Sequence, residues 1–268
     1  MEIVTPQGQP ASILGLAGQQ QIDATCVSVA FEALINYFFF YDLKVENFLD
    51  GLKSLLGAKR EQVLVATGSE DRDIISLRNY LNSVRDRLNI NGVDVFFVEY
   101  VSPSDDINQV CEVLEALRYW KDSGILRYVG VTTHNRRIAK ELIESGQCDV
   151  LMHRYNMAHR KVQEDVLPAA QSLGVPVVAF TCTRWGSLLK GHPDWQAEPP
   201  TAADCYRYVL HHPAVRLALT APQTTQQLEQ NLSVLHAPPL SSQEATHWQK
   251  YGDLIYGNGQ DAFETQWE

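Results

Sequence analysis

The feature that most constrains how this chain folds is a regular alternation of short β-rich runs with helical stretches. Such alternation is typical of βαβ units, which build a parallel sheet covered by helices. Eight strands in this arrangement predict an α/β fold of the (β/α)8 TIM-barrel type, which commonly takes ~250 residues as one domain. The β-rich runs stand at residues 13–17, 35–41, 63–67, 93–101, 128–133, 149–155, 175–182 and 215–220.

Two of the intervening stretches have a clear helical period. Apolar residues recur every three or four positions from Ile74 to Leu88 and again from Ile107 to Lys121, which indicates one buried face on each helix. Asp105 and Asp106 precede the second helix and can cap its free backbone N–H groups. Glycine can end a helix, and one follows the helix 107–121 and each of the next two helical stretches, at Gly124, Gly146 and Gly174.

An open, doubly wound sheet is the alternative architecture. It would usually carry a Gly-rich phosphate loop after its first strand, GxGxxG or GxxxxGK followed by Ser or Thr, and the sequence contains neither. We therefore expect one closed barrel, as a single domain over residues 1–268. Residues 236–268 are expected to form an ordered appendage across the barrel mouth, because their aromatic side chains need burial: Trp248, Tyr251, Tyr256, Phe263 and Trp267.

The net charge limits which partners we expect the protein to bind, and the cysteine content indicates its compartment. A formal net charge of −10 argues against binding to nucleic acid or to an anionic membrane, since both reward clustered Lys and Arg. The polar N-terminus lacks the features of a signal peptide, and no apolar run approaches the ~18 residues of a membrane span. The cysteines are scattered and form no CxxC motif, which indicates reduced thiols in a cytoplasmic protein: Cys26, Cys111, Cys148, Cys182 and Cys205.

Several segments, in order and at the family's spacing, resemble aldo/keto reductases. The clearest is 116–131 (ALRYWKDSGILRYVGV), which is similar to the family's A-L-x-x-L-x-x-x-G-K-I-R-Y-I-G-V. The run 33–38 (ALINYF) is similar to the family's second strand, and 60–67 (REQVLVAT) to the entry into its third. Residues 219–232 (LTAPQTTQQLEQNL) are similar to its closing strand and adenosine-binding helix. The resemblance covers roughly residues 11–235.

The resemblance implies a barrel enzyme that uses NAD(P)H to reduce a small carbonyl compound. The family places an Asp, a Tyr, a Lys and a His at the carboxyl ends of its strands, and the Tyr is the general acid. By register these four positions fall on Phe39, Lys44, Gly68 and Glu99, so every position is altered. Tyr41 stands nearby and would take the place of the missing Tyr if the loop were shortened. The substitutions argue against the family's usual mechanism.

The resemblance also implies a nicotinamide-cofactor site along the later strands. The family's Ser-Asn pair, which holds the nicotinamide amide, stands here as Thr132 and Thr133. The family binds the phosphate of NADPH with basic residues that would fall in the stretch 217–249. This stretch contains no Lys or Arg, so NADP(H) would have to bind here without that phosphate clamp. The remaining cofactor positions, by motif, are Met152 on the sixth strand, Tyr155 just after it, Arg184 and Trp185 in the loop after the seventh, and Asn231 in the last helix of the match.

The residues that stand in for the tetrad suggest a different site. Glu99, His134 and Arg154 each stand at a strand end, and the two-residue period aims Arg154 into the barrel if Met152 points inward. Glu99 and Arg154 would then pair across the barrel, either within a site or as a structural ion pair. The histidine spacings fit no standard ligand pattern, so we expect no metal.

Three functions therefore remain open, each with a small molecule as substrate or ligand, and the oligomeric state is left undetermined. The family suggests an NAD(P)H-linked oxidoreductase with Tyr41 or another group as proton donor. The cluster of Glu99 with His134 and Arg154 suggests a non-redox enzyme such as a lyase, isomerase or hydrolase. Loss of the tetrad suggests a catalytically inactive barrel that binds a metabolite.

Overall fold

The computed structural model describes residues 1–257 and 259, and its strands close into a parallel barrel in the order β1 to β8. The TIM-barrel prediction is confirmed. The strands are β1 (Leu14–Ala17), β2 (Tyr37–Phe40), β3 (Leu64–Ser69), β4 (Val93–Val98), β5 (Leu126–Thr133), β6 (Val150–Arg154), β7 (Val177–Phe180) and β8 (Val215–Thr220). The helices are α1 (Thr25–Glu32), α2 (Glu46–Lys59), α3 (Ile74–Leu88), α4 (Ile107–Asp122), α5 (Arg136–Glu144), α6 (Val166–Leu173), α7 (Ala202–Leu210), α8 (Thr225–Leu232) and α9 (Ser242–Tyr256). None of these described helices combines the length and the apolar character that crossing a membrane requires.

The barrel strands are buried on both faces, and each face packs against different partners. Alternate side chains point into the barrel, where Phe39 and Phe97 belong to an inner core. The side chains between them point outward and pack beneath the helices, as Phe38 does. This alternation follows from the two-residue period of a strand. Met152 belongs to the inner core, so Arg154 shares its inward direction.

Strand β4 is shorter than expected, and its end shapes the mouth of the barrel. The strand ends at Val98, whereas the sequence pattern extends to Val101. Tyr100 adopts a left-handed backbone conformation with φ of 52°, and its N–H bonds to the side chain of Thr132 at 2.7 Å. The chain therefore leaves the sheet at Glu99 and is fastened across to β5.

The N-terminal segment closes the end of the barrel opposite the mouth. Ile3 joins the inner core, and the carbonyl of Val4 accepts a hydrogen bond from Arg127 at 2.7 Å. Arg127 also pairs with the fully buried Asp94 at 3.1 Å, and Arg60 pairs with the same carboxylate at 3.0 Å. This network ties the segment to β4 and β5.

The two aspartates before α4 have different roles. Asp106 caps the helix, because its carboxylate accepts the N–H of Asn108 at 2.9 Å. The prediction that Asp105 also caps α4 is wrong. Its carboxylate instead accepts the N–H of Ser102 at 2.7 Å and pairs with Arg72 at 3.0 Å. Asp105 thereby organises the loop that follows β4.

The last described helix, α9, packs on the loops at the carboxyl ends of β6 and β7. The hydroxyl of Tyr251 donates to the carbonyl of Leu188 at 2.6 Å. Arg160 and Arg184, from those two loops, donate at 3.0 Å to carbonyls of α9. These bonds hold α9 beside the mouth. Phe263 and Trp267, which the sequence analysis places in the same appendage, lie outside the described residues.

Candidate functional site

The carboxyl of Glu99 lies in a buried niche at the end of β4. The residue is 2% exposed, and its Oε1 has no hydrogen-bond partner within residues 1–257 and 259. A Cβ placed on Gly68 of the neighbouring β3 would stand 2.6 Å from that oxygen, so the carboxyl fills the volume that a side chain at position 68 would need. Burial raises the pKa of Glu99 well above its ordinary value; the charge of Glu70 adds to this, and Arg72 opposes it. The niche therefore favours the protonated acid.

Arg72 holds together the loops around this niche. Its guanidinium donates to the carbonyl oxygen of Glu99 at 2.8 Å and pairs with Asp105 at 3.0 Å. Although burial acts to raise it, the hydrogen bonds from Arg72 and Ser102 hold the pKa of Asp105 below its ordinary value. A cation from the loop after β3 thus stands close to Glu99, although Gly68 itself supplies none. In the sequence, Arg72 is marked only by its position as a single cation among acidic residues.

Two tyrosine side chains accompany Glu99 at the mouth. Tyr41 follows β2, is 38% exposed and packs its ring edge-on against Phe39 at 4.8 Å. Burial and the hydroxyl of Tyr100 raise the pKa of Tyr41 far above its ordinary value. Burial also raises the pKa of Tyr100, although its hydrogen bond with Tyr41 acts in the opposite direction. Tyr41 therefore lacks the lowered proton affinity that a tyrosine acid requires.

The predicted ion pair between Glu99 and Arg154 is absent from the described part of the structure. The charges that act on Glu99 come instead from the loops after β2 and β3. His134 lies between the rings of Tyr100 and Phe180, with centroid distances of 5.6 and 5.4 Å. Burial, together with the charge of Arg154, lowers the pKa of His134 to about 3, so the imidazole is neutral at pH 7.

Thr132 and Thr133 brace the loop after β4. Thr132 accepts the N–H of Tyr100 through Oγ1 at 2.7 Å. Thr133 donates its hydroxyl to the carbonyl of Val101 at 2.6 Å and accepts the N–H of Asn135 at 3.0 Å. The hydroxyl of Thr133 is therefore engaged as donor and as acceptor, whereas the hydroxyl of Thr132 acts only as an acceptor among the described residues.

A cleft of about 1470 Å³ runs from the barrel mouth past the carboxyl ends of β7, β8 and β1. Three of the predicted site residues line it, namely Tyr41, Trp185 and Asn231. Asp42 also lines it, and no Lys or Arg does among the residues that the structure describes. The walls thus offer hydrogen bonds rather than positive charge, because they carry a series of side-chain amides: Gln19, Gln20, Gln223, Gln227, Gln230 and Asn231.

The other residues predicted for the cofactor site differ in how they face this cleft. Met152 is fully buried in the inner core and provides no hydrogen-bond donor. Tyr155 points outward, and its hydroxyl bonds to Gln163 beneath the helices rather than facing the mouth. Arg184 and Trp185 both adopt left-handed backbone conformations in the loop after β7, and Trp185 is 59% exposed. Asn231 donates to the hydroxyl of Thr220 at 2.9 Å.

Cys182 and His153 are two further side chains with reactive groups at or beyond the carboxyl ends of the strands. Cys182 lines the cleft, and burial raises the pKa of its thiol to about 12, which keeps it protonated. His153 points away from the mouth, with its Nδ1 3.0 Å from the carbonyl of Arg154. Within residues 1–257 and 259, no group of three or more His, Cys, Asp or Glu is placed to hold a metal ion.

Known proteins similar to this chain have low sequence identity to it. The NADH-specific methylglyoxal reductase of Escherichia coli (strain K12) is 21% identical over 42% of this chain and 35% of that protein. The uncharacterized oxidoreductase YqkF of Bacillus subtilis (strain 168) is 22% identical over 59% of this chain and 60% of that protein. The matches thus span about a third and about three fifths of the lengths of these two proteins.

Solved structures share the fold over nearly the whole chain. The holo form of the aldo-keto reductase AKR11C1 from Bacillus halodurans superposes with a TM-score of 0.77 at 21% identity, covering 90% of this chain and 92% of that one. Its apo form gives a TM-score of 0.75 at 20% identity, covering 92% and 94%. At this level of identity the likeness establishes the barrel architecture.

Family membership rests on the sequence itself. The profile of the aldo/keto reductase family matches residues 20–204, a stretch that begins before α1 and ends within α7. It includes the segments 33–38, 60–67 and 116–131, which carry most of the resemblance, whereas the segment 219–232 lies outside it. The resemblance is confirmed: the chain belongs to the aldo/keto reductase family.

Proposed function

We propose that the protein is an oxidoreductase that reduces a small carbonyl compound with a nicotinamide cofactor, and that Glu99, in its protonated form, is the acid. Family membership supports the class of reaction. The observation that carries the assignment of Glu99 is its buried carboxyl, held toward the neutral form, whose Oε1 has no hydrogen-bond partner among the described residues. An acid group in this state has an O–H that it can donate to a substrate oxygen that reaches the niche.

The physical case for Glu99 over Tyr41 is a comparison of proton affinities. A free tyrosine has a pKa near ~10, and burial raises the pKa of Tyr41 further. A carboxylic acid whose pKa is raised by burial gives up its proton more readily near neutral pH. The carbonyl oxygen gains negative charge as it is reduced, so the O–H of Glu99 can donate to that oxygen and then transfer its proton to form the alcohol. The nicotinamide, when bound, supplies the hydride for the carbon atom.

The cleft suits NADH better than NADPH. Its amide side chains can bond the hydroxyl groups of an adenosine ribose, and Thr132 keeps a proton for the nicotinamide amide. A ribose phosphate needs Arg or Lys, and the described lining has neither. We therefore propose NADH as the preferred cofactor and assign Thr132, Gln223, Gln227 and Asn231 to its binding.

Titration of the purified protein with NADH and with NADPH tests this proposal. Nicotinamide fluorescence and calorimetry should give a Kd for NADH below about 10 μM, roughly 7 kcal/mol of binding free energy. NADPH should bind at least tenfold more weakly. A Gln227→Arg variant adds the missing cation, so it should narrow this difference, while Gln226→Arg on the same helix serves as the matched control. Failure of both cofactors to bind at millimolar concentration would refute the oxidoreductase assignment.

A second candidate, a site that works without nicotinamide, has its own support. The hydroxyl of Thr133 is engaged as donor and acceptor, and Met152 offers no amide, so two of the family's cofactor contacts are lost. In that case Glu99 would serve a non-redox reaction or only bind a metabolite. The Glu99→Gln variant distinguishes a non-redox enzyme from a metabolite-binding barrel. It would lose turnover in the enzyme but change only ligand affinity in the binding barrel.

The setting of this activity is also part of the proposal. All five cysteines are free, which supports a reducing compartment such as the cytoplasm. The net charge of −10 supports a small molecule rather than nucleic acid as partner. The bonds between α9 and the loops after β6 and β7 support one domain in which α9 covers part of the mouth.

A further inference from the structure

A second cavity, of about 520 Å³, lies at the end of the barrel opposite the mouth. It opens beside the amino ends of β7 and β8, between α6, α7 and the segment 234–240. Its walls are mainly apolar and include Ile13, Leu210 and Leu240. Prolines stiffen the rim, at Pro176, Pro213, Pro238 and Pro239. The cavity is thus separate from the site at Glu99 and is largely preformed.

Arg216 reaches this cavity because of an irregularity in the sheet. Val177 pairs with Val215, but the next residue, Val178, pairs with Leu217, so Arg216 is the extra residue of a β-bulge. Its guanidinium donates to the carbonyl oxygen of Ala11 and lines the cavity. A bulge interrupts the ladder and redirects one side chain, and here the redirected side chain is a cation.

Arg216 differs from the other arginine of this cavity in its electrostatic surroundings. The described residues place no carboxylate in ion-pair contact with it, and burial lowers its pKa although the more distant Glu2 opposes this. Arg207 on the same wall differs, because it pairs with Asp204 at 3.5 Å and with Glu244 at 3.1 Å. A partly buried guanidinium without a counter-charge favours the arrival of an anion.

We propose that this cavity is a second binding site, for a small organic carboxylate with an apolar body. The guanidinium fork can bind a carboxylate through two parallel hydrogen bonds, and the apolar walls would enclose the rest of the molecule. A volume of about 520 Å³ lies within the range of ordinary small-molecule pockets. The inference does not depend on the reaction at the mouth, because it uses none of the same residues.

Calorimetric titration with 2-naphthoate and with the neutral 2-naphthamide tests this site. We expect 2-naphthoate to bind at least tenfold more tightly than the amide. Arg216→Gln should reduce the affinity for 2-naphthoate at least tenfold, whereas Arg137→Gln, at an exposed arginine on α5, should leave it unchanged. Ala237→Trp fills the cavity from a partly exposed wall position and should weaken both probes without disturbing the sheet. Equal affinity for the two probes, or full retention of 2-naphthoate binding by both the Arg216→Gln and the Ala237→Trp variants, would overturn the proposal.

Discussion

The side chain of Glu99 lies where a side chain of residue 68 would otherwise stand. Its Oε1 is 2.6 Å, and its Cγ 2.8 Å, from the position that a Cβ on Gly68 would take. The carbonyl oxygen of Phe97 is nearer still, at 2.5 Å. Glu99 and Gly68 are thus a matched pair, because the carboxyl can enter its niche only when residue 68 has no side chain.

A methyl group at position 68 should displace the carboxyl of Glu99. Real Cβ atoms do not approach other atoms this closely, so Gly68→Ala must shift Glu99 and the backbone of β4. We expect a loss of about 1–3 kcal/mol in the free energy of unfolding, as for other overpacked sites. Gly57→Ala is the control, since a Cβ there meets no atom within 4 Å and the helix should gain up to ~1 kcal/mol. Equal stability of Gly68→Ala and the parent in urea would contradict the steric pairing.

The stability of the protein should reveal the raised pKa of Glu99. The unfolded chain ionises Glu99 near its ordinary pKa of ~4.3, whereas the folded chain holds the proton to higher pH. Above ~4.3 the folded state therefore binds more protons than the unfolded state, and Glu99 lowers stability as pH rises toward its folded pKa. Glu99→Gln removes this effect, so its stability relative to the parent should increase from pH 4.5 to pH 7.5. A stability difference between Glu99→Gln and the parent that stays flat over this pH range would show that the pKa of Glu99 is not raised.

Arg72 should matter more than an exposed arginine of equal charge. Arg72→Gln loses the pair with Asp105 and the hydrogen bond to the carbonyl of Glu99, which should cost about 1–3 kcal/mol. Arg137→Gln loses only an exposed pair with Glu141 and should change stability by less than ~0.5 kcal/mol. Because Arg72 lowers the pKa of Glu99, its removal should also move the titration of Glu99 to higher pH. If the titration of Glu99 is the same in Arg72→Gln as in the parent, the charge of Arg72 does not act on Glu99.

The network at the opposite end of the barrel should support stability without affecting the mouth. Asp94 is fully buried, pairs with Arg60 and Arg127, and accepts the N–H of Val65 at 2.8 Å. Asp94→Asn leaves two arginines without their carboxylate and should cost about 3–5 kcal/mol. Cofactor affinity, measured where the variant is folded, should stay within twofold, since Asp94 lies at the end of the barrel opposite the mouth. A change of tenfold or more would show that the ends are coupled.

The fold could be predicted because its signals are periodic and local. Alternating strands and helices, together with the family segments, identified the closed barrel, and β8 has the predicted bounds. The inward direction of Arg154 also followed from the two-residue period. The same period, applied one residue further, places Tyr155 on the outside, where its hydroxyl meets Gln163. The motif match alone had assigned Tyr155 to the cofactor.

The site was harder to predict because it depends on distances across the barrel. The sequence places Glu99 and Arg154 at the ends of β4 and β6, which β5 separates, but it does not show that the carboxyl turns over Gly68 instead. The sequence also does not show that the hydroxyl of Thr133 donates to the carbonyl of Val101, which lies in the loop after β4. Arg72 was missed for the same reason, since its contacts with Glu99 and Asp105 join loops that are distant in sequence.

The most direct test of the account is the protonation state of Glu99 in the intact protein. Carbon-13 NMR of glutamate labelled at the side-chain carboxyl can follow this group from pH 4 to pH 9, with Glu99→Gln identifying its signal. We expect the signal of Glu99 to titrate well above the range of the exposed glutamates and to respond to the removal of Arg72. A Glu99 signal that titrates together with the exposed glutamates would contradict its role as the acid of the site.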